Sequence, residues 1–263
     1  MMIVKIGGGA AIDLEAIASD LAGLEPPFVI IHGANALRDR LARRLGSPVK
    51  VVTSLSGYDS VFTDEDAMDA LIMAYAGLRN KNLVALLRRK GVNALGLCGV
   101  DGGLISGRRN AGIRTRQNGK KLLLRDLSGK PEKVNLALLQ MLVRAGYTPV
   151  LSVPILDERG VPISTENDEI VALLQRELRA EKVVQLIEAP GLLADPARPD
   201  SLISRLAPAE LGSWETRVAG RMKRKILALR RLYETGDPAV YIGDGRIAAP
   251  ISAALAGKGT VIQ

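Results

Sequence analysis

Short apolar, β-branched runs alternate with amphipathic helical stretches from one end of this chain to the other. Nothing else in it constrains the fold as strongly. Residues 3–6, 28–31, 94–97, 149–152, 182–187, 239–242 and 260–262 read as strands, mostly of the continuous kind buried on both faces. Residues 13–24, 36–45, 64–90, 133–145, 168–179, 222–235 and 250–256 carry helical periodicity. This alternation predicts an α/β fold, with a mainly parallel sheet covered on both sides and joined by right-handed crossovers. Residues 104–125 differ. There the Asn118–Gly119 pair separates two strand-like runs and predicts a hairpin. A faint change of composition at Ser164–Asp168 divides the chain into two lobes, 1–167 and 168–263.

A length of 263 residues suits one large domain or two fused lobes sharing a sheet. With 47% hydrophobic and 24% charged residues, intrinsic disorder and coiled coil are excluded. A single cysteine, Cys98, excludes a disulfide framework and a thiolate zinc site. No apolar run approaches the roughly 18–20 residues of a membrane span, and residues 1–9 lack a secretory core, so a cytoplasmic protein without membrane contact is expected. The net charge of +8 suits an anionic ligand or an acidic protein partner. Nucleic acid is disfavoured, because the cations are dispersed, concentrating only at 108–116 and 217–231, and aromatics are just 3%.

Open α/β sheets bind ligands beyond the carboxyl ends of their strands, so the loops there carry the chemistry. After the first strand comes Lys5-Ile6-Gly7-Gly8-Gly9, whose backbone can turn tightly against an oxyanion with the Lys5 ammonium in reach. An ordinary tight turn fits the same letters. The dinucleotide fingerprint fails, since Ile12 occupies the third glycine position, and there is no P-loop Gly-Lys-Ser/Thr. After the second strand, His32-Gly33-Ala34-Asn35 opens a helix and forms another anion-friendly nest. His32 is the only histidine, too few for a triad or a multi-histidine metal site, and reads as a structural hydrogen-bonding residue. Lys225, in Gly220-Arg221-Met222-Lys223-Arg224-Lys225, is either part of a solvated helix start or an ammonium aimed at a phosphate. Asp168 is either a helix N-cap or the site's carboxylate.

These loops, in this order, resemble the amino acid kinase family. Within it the chain is similar to the acetylglutamate kinase branch, nearest the members that act on an amino-group carrier protein in lysine and arginine biosynthesis. The resemblance is carried by Lys5-Ile6-Gly7-Gly8, His32-Gly33, Thr53-Ser54-Leu55-Ser56-Gly57, Thr63-Asp64, Gly77-Leu78-x-Asn80-Lys81 and Gly96-Leu97-x-Gly99-x-Asp101-Gly102. It continues through Gly107-Arg108-Arg109, Ala145-Gly146-Tyr147, Pro190-Gly191-Leu192-Leu193, Gly220 to Lys225, Asp244-Gly245-Arg246 and Gly257-x-Gly259-Thr260.

The resemblance implies a three-layer αβα sandwich of carbamate kinase-like fold. It also implies transfer of the ATP γ-phosphoryl to a side-chain carboxylate, giving an acyl phosphate. A carboxylate is already ionised, so no general base is required, and alignment with charge neutralisation supplies the catalysis. By motif, Lys5 and Lys225 are the transition-state cations, and Asp168 holds both. Gly7, Gly8 and Gly33 supply backbone donors, Gly191 and Met222 line the nucleotide site, and Mg²⁺ rides on the ATP phosphates without a protein cage. The first lobe takes the acceptor and the dimer contact, and the second takes ATP. A homodimer across the 64–90 helix is expected, since Lys5 comes too early for the N-terminal extension helix of regulated members. Acceptor contacts map to Ala34, Asn35, Val61 and Ser164, and Arg108 with Arg109 forms a docking face for a small acidic carrier protein.

All four of those acceptor positions depart from the pattern. Val61 stands where relatives carry an arginine for the substrate α-carboxylate, and Ser164 aligns with an asparagine. Ala34-Asn35 and Ile187-Glu188-Ala189 also differ from the usual motifs. The alternatives are an N-acetylglutamate 5-kinase and, because of Val61, an impaired carrier-binding or regulatory homologue.

Overall fold

Among the described residues eight strands form the central sheet: β1 Met2–Ile6, β2 Phe28–His32, β3 Ala94–Cys98, β4 Thr148–Ser152, β5 Lys182–Ile187, β6 Arg205–Leu206, β7 Ala239–Asp244 and β8 Thr260–Ile262. Their spatial order is β6-β8-β7-β5-β1-β2-β4-β3, and only the β7–β8 pair is antiparallel. This computed structural model describes the chain apart from residues 56, 58, 118, 119, 196, 199, 219 and 235, and the side chains of 117, 220–222 and 224. The sheet runs unbroken across the 167/168 division, because β1 pairs with β5 over its whole length.

Two hydrophobic layers cover it. Val4, Ile6, Ile30, Val150 and Val184 pack under α1 (Leu14–Ala22), α4 (Asn80–Arg89) and α9 (Pro250–Leu255). Ile3, Val29, Ile31, Leu151 and Val183 pack under α2 (Asn35–Arg44), α3 (Glu65–Ile72), α5 (Leu136–Arg144), α6 (Asn167–Leu178) and α8 (Gly220–Glu234). Successive strand residues alternate between these cores, as the period of two requires. The remaining helix, α7 (Leu211–Arg217), packs beside α8. Residues 65–89 form one continuous rod in which a π-helical segment, Met73–Arg79, joins α3 to α4.

Three small sheets lie outside this frame. Lys50–Thr53 pairs with Asp59–Phe62, and Ile113–Gln117 with Lys120–Leu124, both antiparallel. The second pair is the hairpin predicted within 104–125; its Asn118–Gly119 turn lies outside the described residues. Pro162–Ile163, Ile155–Leu156, Ile105–Arg109 and Gly129–Val134 make a four-stranded sheet. Two corrections follow. The helix expected over 133–145 starts only at Leu136, since Lys133 and Val134 belong to a strand and the Asn135 side chain caps the Leu138 N–H at 3.1 Å. Arg108 and Arg109 are not on the hairpin but on the Ile105–Arg109 strand of the other sheet, and Arg109 is ion-paired at 3.0 Å to Asp157, whose side chain is 1% exposed. A guanidinium tied to a buried carboxylate is not free to greet a partner. Arg108 is paired more openly, with Glu132 at 3.1 Å.

Candidate active site

Lys5 interrupts an otherwise apolar strand, Met-Ile-Val-Lys-Ile, and shares with Ile3 the face covered by α6 and α8. Its ammonium is therefore buried, and it finds a partner in Asp168 Oδ1 at 2.6 Å. Asp168 lies within the first turn of α6, where the helix dipole favours an anion. The N-cap of that helix is Glu166, so the capping role considered for Asp168 is not the one it plays. Gln185 interrupts β5 in the same way and sits in register with Lys5. It accepts a hydrogen bond from Lys225, on α8, at 3.2 Å.

The electrostatics follow from that packing. Burial would raise the Asp168 pKa, but the Lys5 and Lys225 charges and the Lys5 hydrogen bond outweigh it and hold the carboxyl at about 2. Burial pushes Lys225 down to about 8, the nearby Lys5 charge adding to the fall and Asp168 opposing it. Lys5 alone bonds Asp168 directly; Lys225 reaches it through the field and is held by Gln185. The expected clamp on both lysines is thus one direct contact and one electrostatic.

The two glycine turns cross beside this cluster. Ala36 N–H donates to Gly8 O at 3.0 Å. A Cβ on Gly8 would lie 2.6 Å from the Ala34 nitrogen, and one on Gly33 would lie 2.7 Å from the Gly8 nitrogen, so neither position admits a side chain. The backbone bonds also correct one expectation. Gly7 N–H is engaged by Leu186 O at 2.9 Å and Gly33 N–H by Ile6 O at 2.8 Å, so both are committed to extending the strands. Of the three glycines, Gly8 alone has an N–H without an acceptor among the described residues. Next to it α2 begins at Asn35 with Ala34 as N-cap, and alanine has no side chain to cap the first amides. The helix thus has no side-chain cap, and of its first amides Ala36 N–H is already taken by Gly8 O, which leaves the others for an anion.

The other predicted positions scatter. Val61, on the Asp59–Phe62 strand, and Ser164 are linked by a backbone relay: Leu127 N–H donates to Thr63 O, and Ser164 N–H to Leu127 O, both at 2.7 Å. Gly191 is buried against Thr260, whose hydroxyl accepts the Leu192 N–H at 2.8 Å. The Met222 side chain lies outside the described residues. Three contributors escaped the sequence reading of the site. Gln185 signals itself as a polar residue inside a buried apolar strand, the pattern that also marks Lys5. Asn80 belongs to the Gly77-Leu78-x-Asn80-Lys81 motif, but that motif pointed to no role for it in the site. Glu188 places its carboxylate on the Ala11 N–H at 2.5 Å, beside Gly9, so it braces the first glycine turn from the end of β5.

Comparison with known proteins bears on this arrangement. The model of the amino acid kinase family matches residues 1–244. The whole chain aligns with 91% of a [LysW]-aminoadipate kinase from Deinococcus radiodurans at 41% identity, and with all of a [LysW]-aminoadipate kinase from Thermus thermophilus at 39%. Among solved structures, N-acetylglutamate synthase from Neisseria gonorrhoeae, complexed with coenzyme A and N-acetyl-glutamate, superposes with a TM-score of 0.78 at 23% identity. That match takes in 99% of this chain and 58% of that one, and it shows the shared fold. The family match runs through the strand of Lys5, the helix of Asp168 and the helix of Lys225, and the relatives align from end to end: this chain belongs to the amino acid kinase family.

Proposed function

We propose that this protein transfers the γ-phosphoryl group of ATP to the side-chain carboxylate of an aminoadipyl or glutamyl group borne on a small acidic amino-group carrier protein, in lysine- or arginine-type biosynthesis. The observation that best supports this is the buried Lys5–Asp168 pair with Lys225 in its field, one cation bonded to the carboxylate and the other held by Gln185. The acceptor oxygen attacks the γ-phosphorus, the bond to the β-phosphate oxygen breaks, and ADP leaves. No proton moves, because the acceptor carboxylate is already ionised. Lys5 and Lys225 neutralise charge on the transferring group, Asp168 positions Lys5, and Gly8 and the first amides of α2 other than that of Ala36 donate to phosphoryl oxygens.

The nucleotide lies on the 168–263 side near Gly191 and Met222, with Mg²⁺ brought on its phosphates, and the acceptor enters from the 1–167 side by Ala34, Asn35, Val61 and Ser164. No helix among the described residues is long and apolar enough to cross a membrane. The working form is a cytoplasmic homodimer joined across residues 64–90.

The carrier's landing face follows from the correction to Arg108 and Arg109. Residues 113–125 contain Arg114, Arg116, Lys120, Lys121 and Arg125 and no acidic residue. Arg116 stands directly opposite Lys121 in the hairpin, an arrangement that opposes strand pairing. Leu122 and Leu123 are exposed beside them. A basic ribbon with a small apolar patch suits an acidic protein surface. The test is hydroxylamine trapping of the acyl phosphate with ATP and three acceptors: carrier-linked aminoadipate, carrier-linked glutamate and free N-acetylglutamate. Hydroxamate is expected from a carrier-linked substrate. Product from N-acetylglutamate alone would remove the carrier, and product from none would leave only the impaired-homologue reading.

A further inference from the structure

Asn80 is polar and fully buried. Its placement depends on the π-helical segment that precedes it. Along α3 the buried face runs through Met68, Leu71 and Tyr75, and an unbroken α-helix would continue it through positions 78, 79 and 82. Leu78 is instead 42% exposed, and the buried face resumes at Asn80, Leu83 and Leu87. The wider π turn has rotated the inward face by about one residue, and the residue it turns inward is Asn80.

The hydrogen bonds around Asn80 fix their own proton positions. Its side-chain nitrogen lies 2.9 Å from Val150 O and 3.1 Å from His32 Nε2. A carbonyl oxygen only accepts, so the atom facing Val150 is the NH₂, and its second hydrogen points at Nε2. Nε2 must then be bare, and the imidazole proton sits on Nδ1, facing Gly33 O at 3.4 Å. Burial, reinforced by Arg79 and Lys81 against the Gly33 bond, holds His32 neutral with a pKa of about 3. On its backbone side, His32 O accepts from the Asn167 side chain at 3.3 Å, one residue before Asp168. The Asn80 oxygen is met by Lys81 at 3.3 Å, and a Cβ on Gly96 would collide with the carboxamide. Every hydrogen-bonding atom of Asn80 is engaged.

We propose that Asn80 is a positioning residue for phosphoryl transfer: by holding neutral His32 in its Nδ1–H tautomer, it fixes the Gly33–Asn35 turn, and with it the Gly8 donor and the start of α2, against the Lys5–Asp168 pair. The inference rests on the kinase reading above for its kinetic arm and is independent of it for its spectroscopic arm. His32 is the only histidine, so imidazole ¹⁵N spectra of the whole protein report on it without ambiguity.

In the unaltered protein the spectrum should show the Nδ1–H tautomer, with no titration between pH 8 and 5. Asn80→Asp keeps the shape and reverses the donor, and Asn80→Leu keeps the size and removes both donors. Each should shift the tautomer or raise the pKa. Each should also lower kcat by about 10–100-fold with KM for ATP within about twofold, the scale for displacing a donor that touches the reacting group only through another. A wild-type Nε2–H spectrum overturns the proposal whatever the variants do. So does a variant that melts lower and loses the tautomer yet keeps kcat within twofold, because that is a purely structural asparagine. If the unaltered protein phosphorylates no acceptor at all, the function proposed above fails, and the tautomer still decides whether Asn80 governs His32.

Discussion

The proposed transferring cations and the proposed acceptor side are built on opposite kinds of scaffold. Lys5 and Gln185 stand in register on adjacent parallel strands at the centre of the eight-stranded sheet, under helices of 12 and 15 residues that bring in Asp168 and Lys225. Val61 and the basic ribbon stand on two-stranded sheets at the edge, strands of four or five residues whose side chains are mostly exposed or half-buried. A displaced side chain in the first region strands a buried charge, whereas a changed side chain in the second meets solvent. On the proposed reading the central scaffold would hold the transfer chemistry, and the edge sheets would be where the acceptor can be exchanged.

The sharpest way to break this contrast is at its rigid end. Lys225→Ala should reduce kcat by about 10²–10³-fold on any accepted substrate, the scale of losing one transition-state donor. The fold should survive, as circular dichroism will show, because α8 keeps Ile226, Leu229 and Leu232 in the core. A variant with near-normal kcat would place the transfer chemistry elsewhere. Asp168→Asn comes next. It preserves the shape but leaves Lys5 without its counter-charge, so kcat should fall by more than KM for ATP rises, by roughly tenfold or more in steady-state assays. Loss of thermal stability with turnover intact would make Asp168 a structural group.

The pH profile sharpens the same end. Burial holds the Lys225 pKa down to about 8, and only the protonated form is a cation. As pH rises through 8 the charge is lost, so kcat/KM for ATP should fall tenfold per unit above that point and stay flat just below it. Lys225→Arg, whose guanidinium does not titrate there, should remove the descending limb even if its plateau is lower. A wild-type profile flat to pH 9.5 would refute the assignment.

How much of this could be read from the letters follows the same division. The strands of the main sheet other than the two-residue Arg205–Leu206 pair were legible, because continuous apolar runs bounded by turns are the signature of burial on both faces. The small sheets were not, apart from the hairpin, because strands of two to six residues with mixed polarity carry no decisive period; Lys133 was consequently assigned to a helix when it belongs to a strand. In the site, Lys5 and Asp168 were legible by motif. The commitment of the Gly7 and Gly33 amides was not, since it depends on which carbonyl each turn meets in the folded sheet. Gln185 could have been found by asking which polar residues interrupt apolar strands. Asn80 was legible as a motif residue, but its burial against His32 was not, because a π turn shifts the helical face without leaving a mark on the sequence.

The smallest expected effect tests the margin. If an acidic carrier lands on the 113–125 ribbon, Arg116→Glu with Lys121→Glu should raise KM for the carrier-linked substrate by about 3–10-fold at low salt, and the difference should shrink as salt screens the encounter. The pair stands face to face, so reversing both preserves the balance of repulsion within the hairpin and leaves its stability close to the original. Turnover at saturating carrier should be unchanged, because neither residue contacts the lysine cluster. Arg108→Glu serves as the control: it loses only an exposed pair with Glu132 on the other sheet and should move KM little. The opposite ranking, with Arg108 decisive and the ribbon silent, would return the docking face to the Ile105–Arg109 strand. Equal silence at both would mean that the carrier is recognised through its bound amino acid alone, and the margin would then be a pocket rather than a surface.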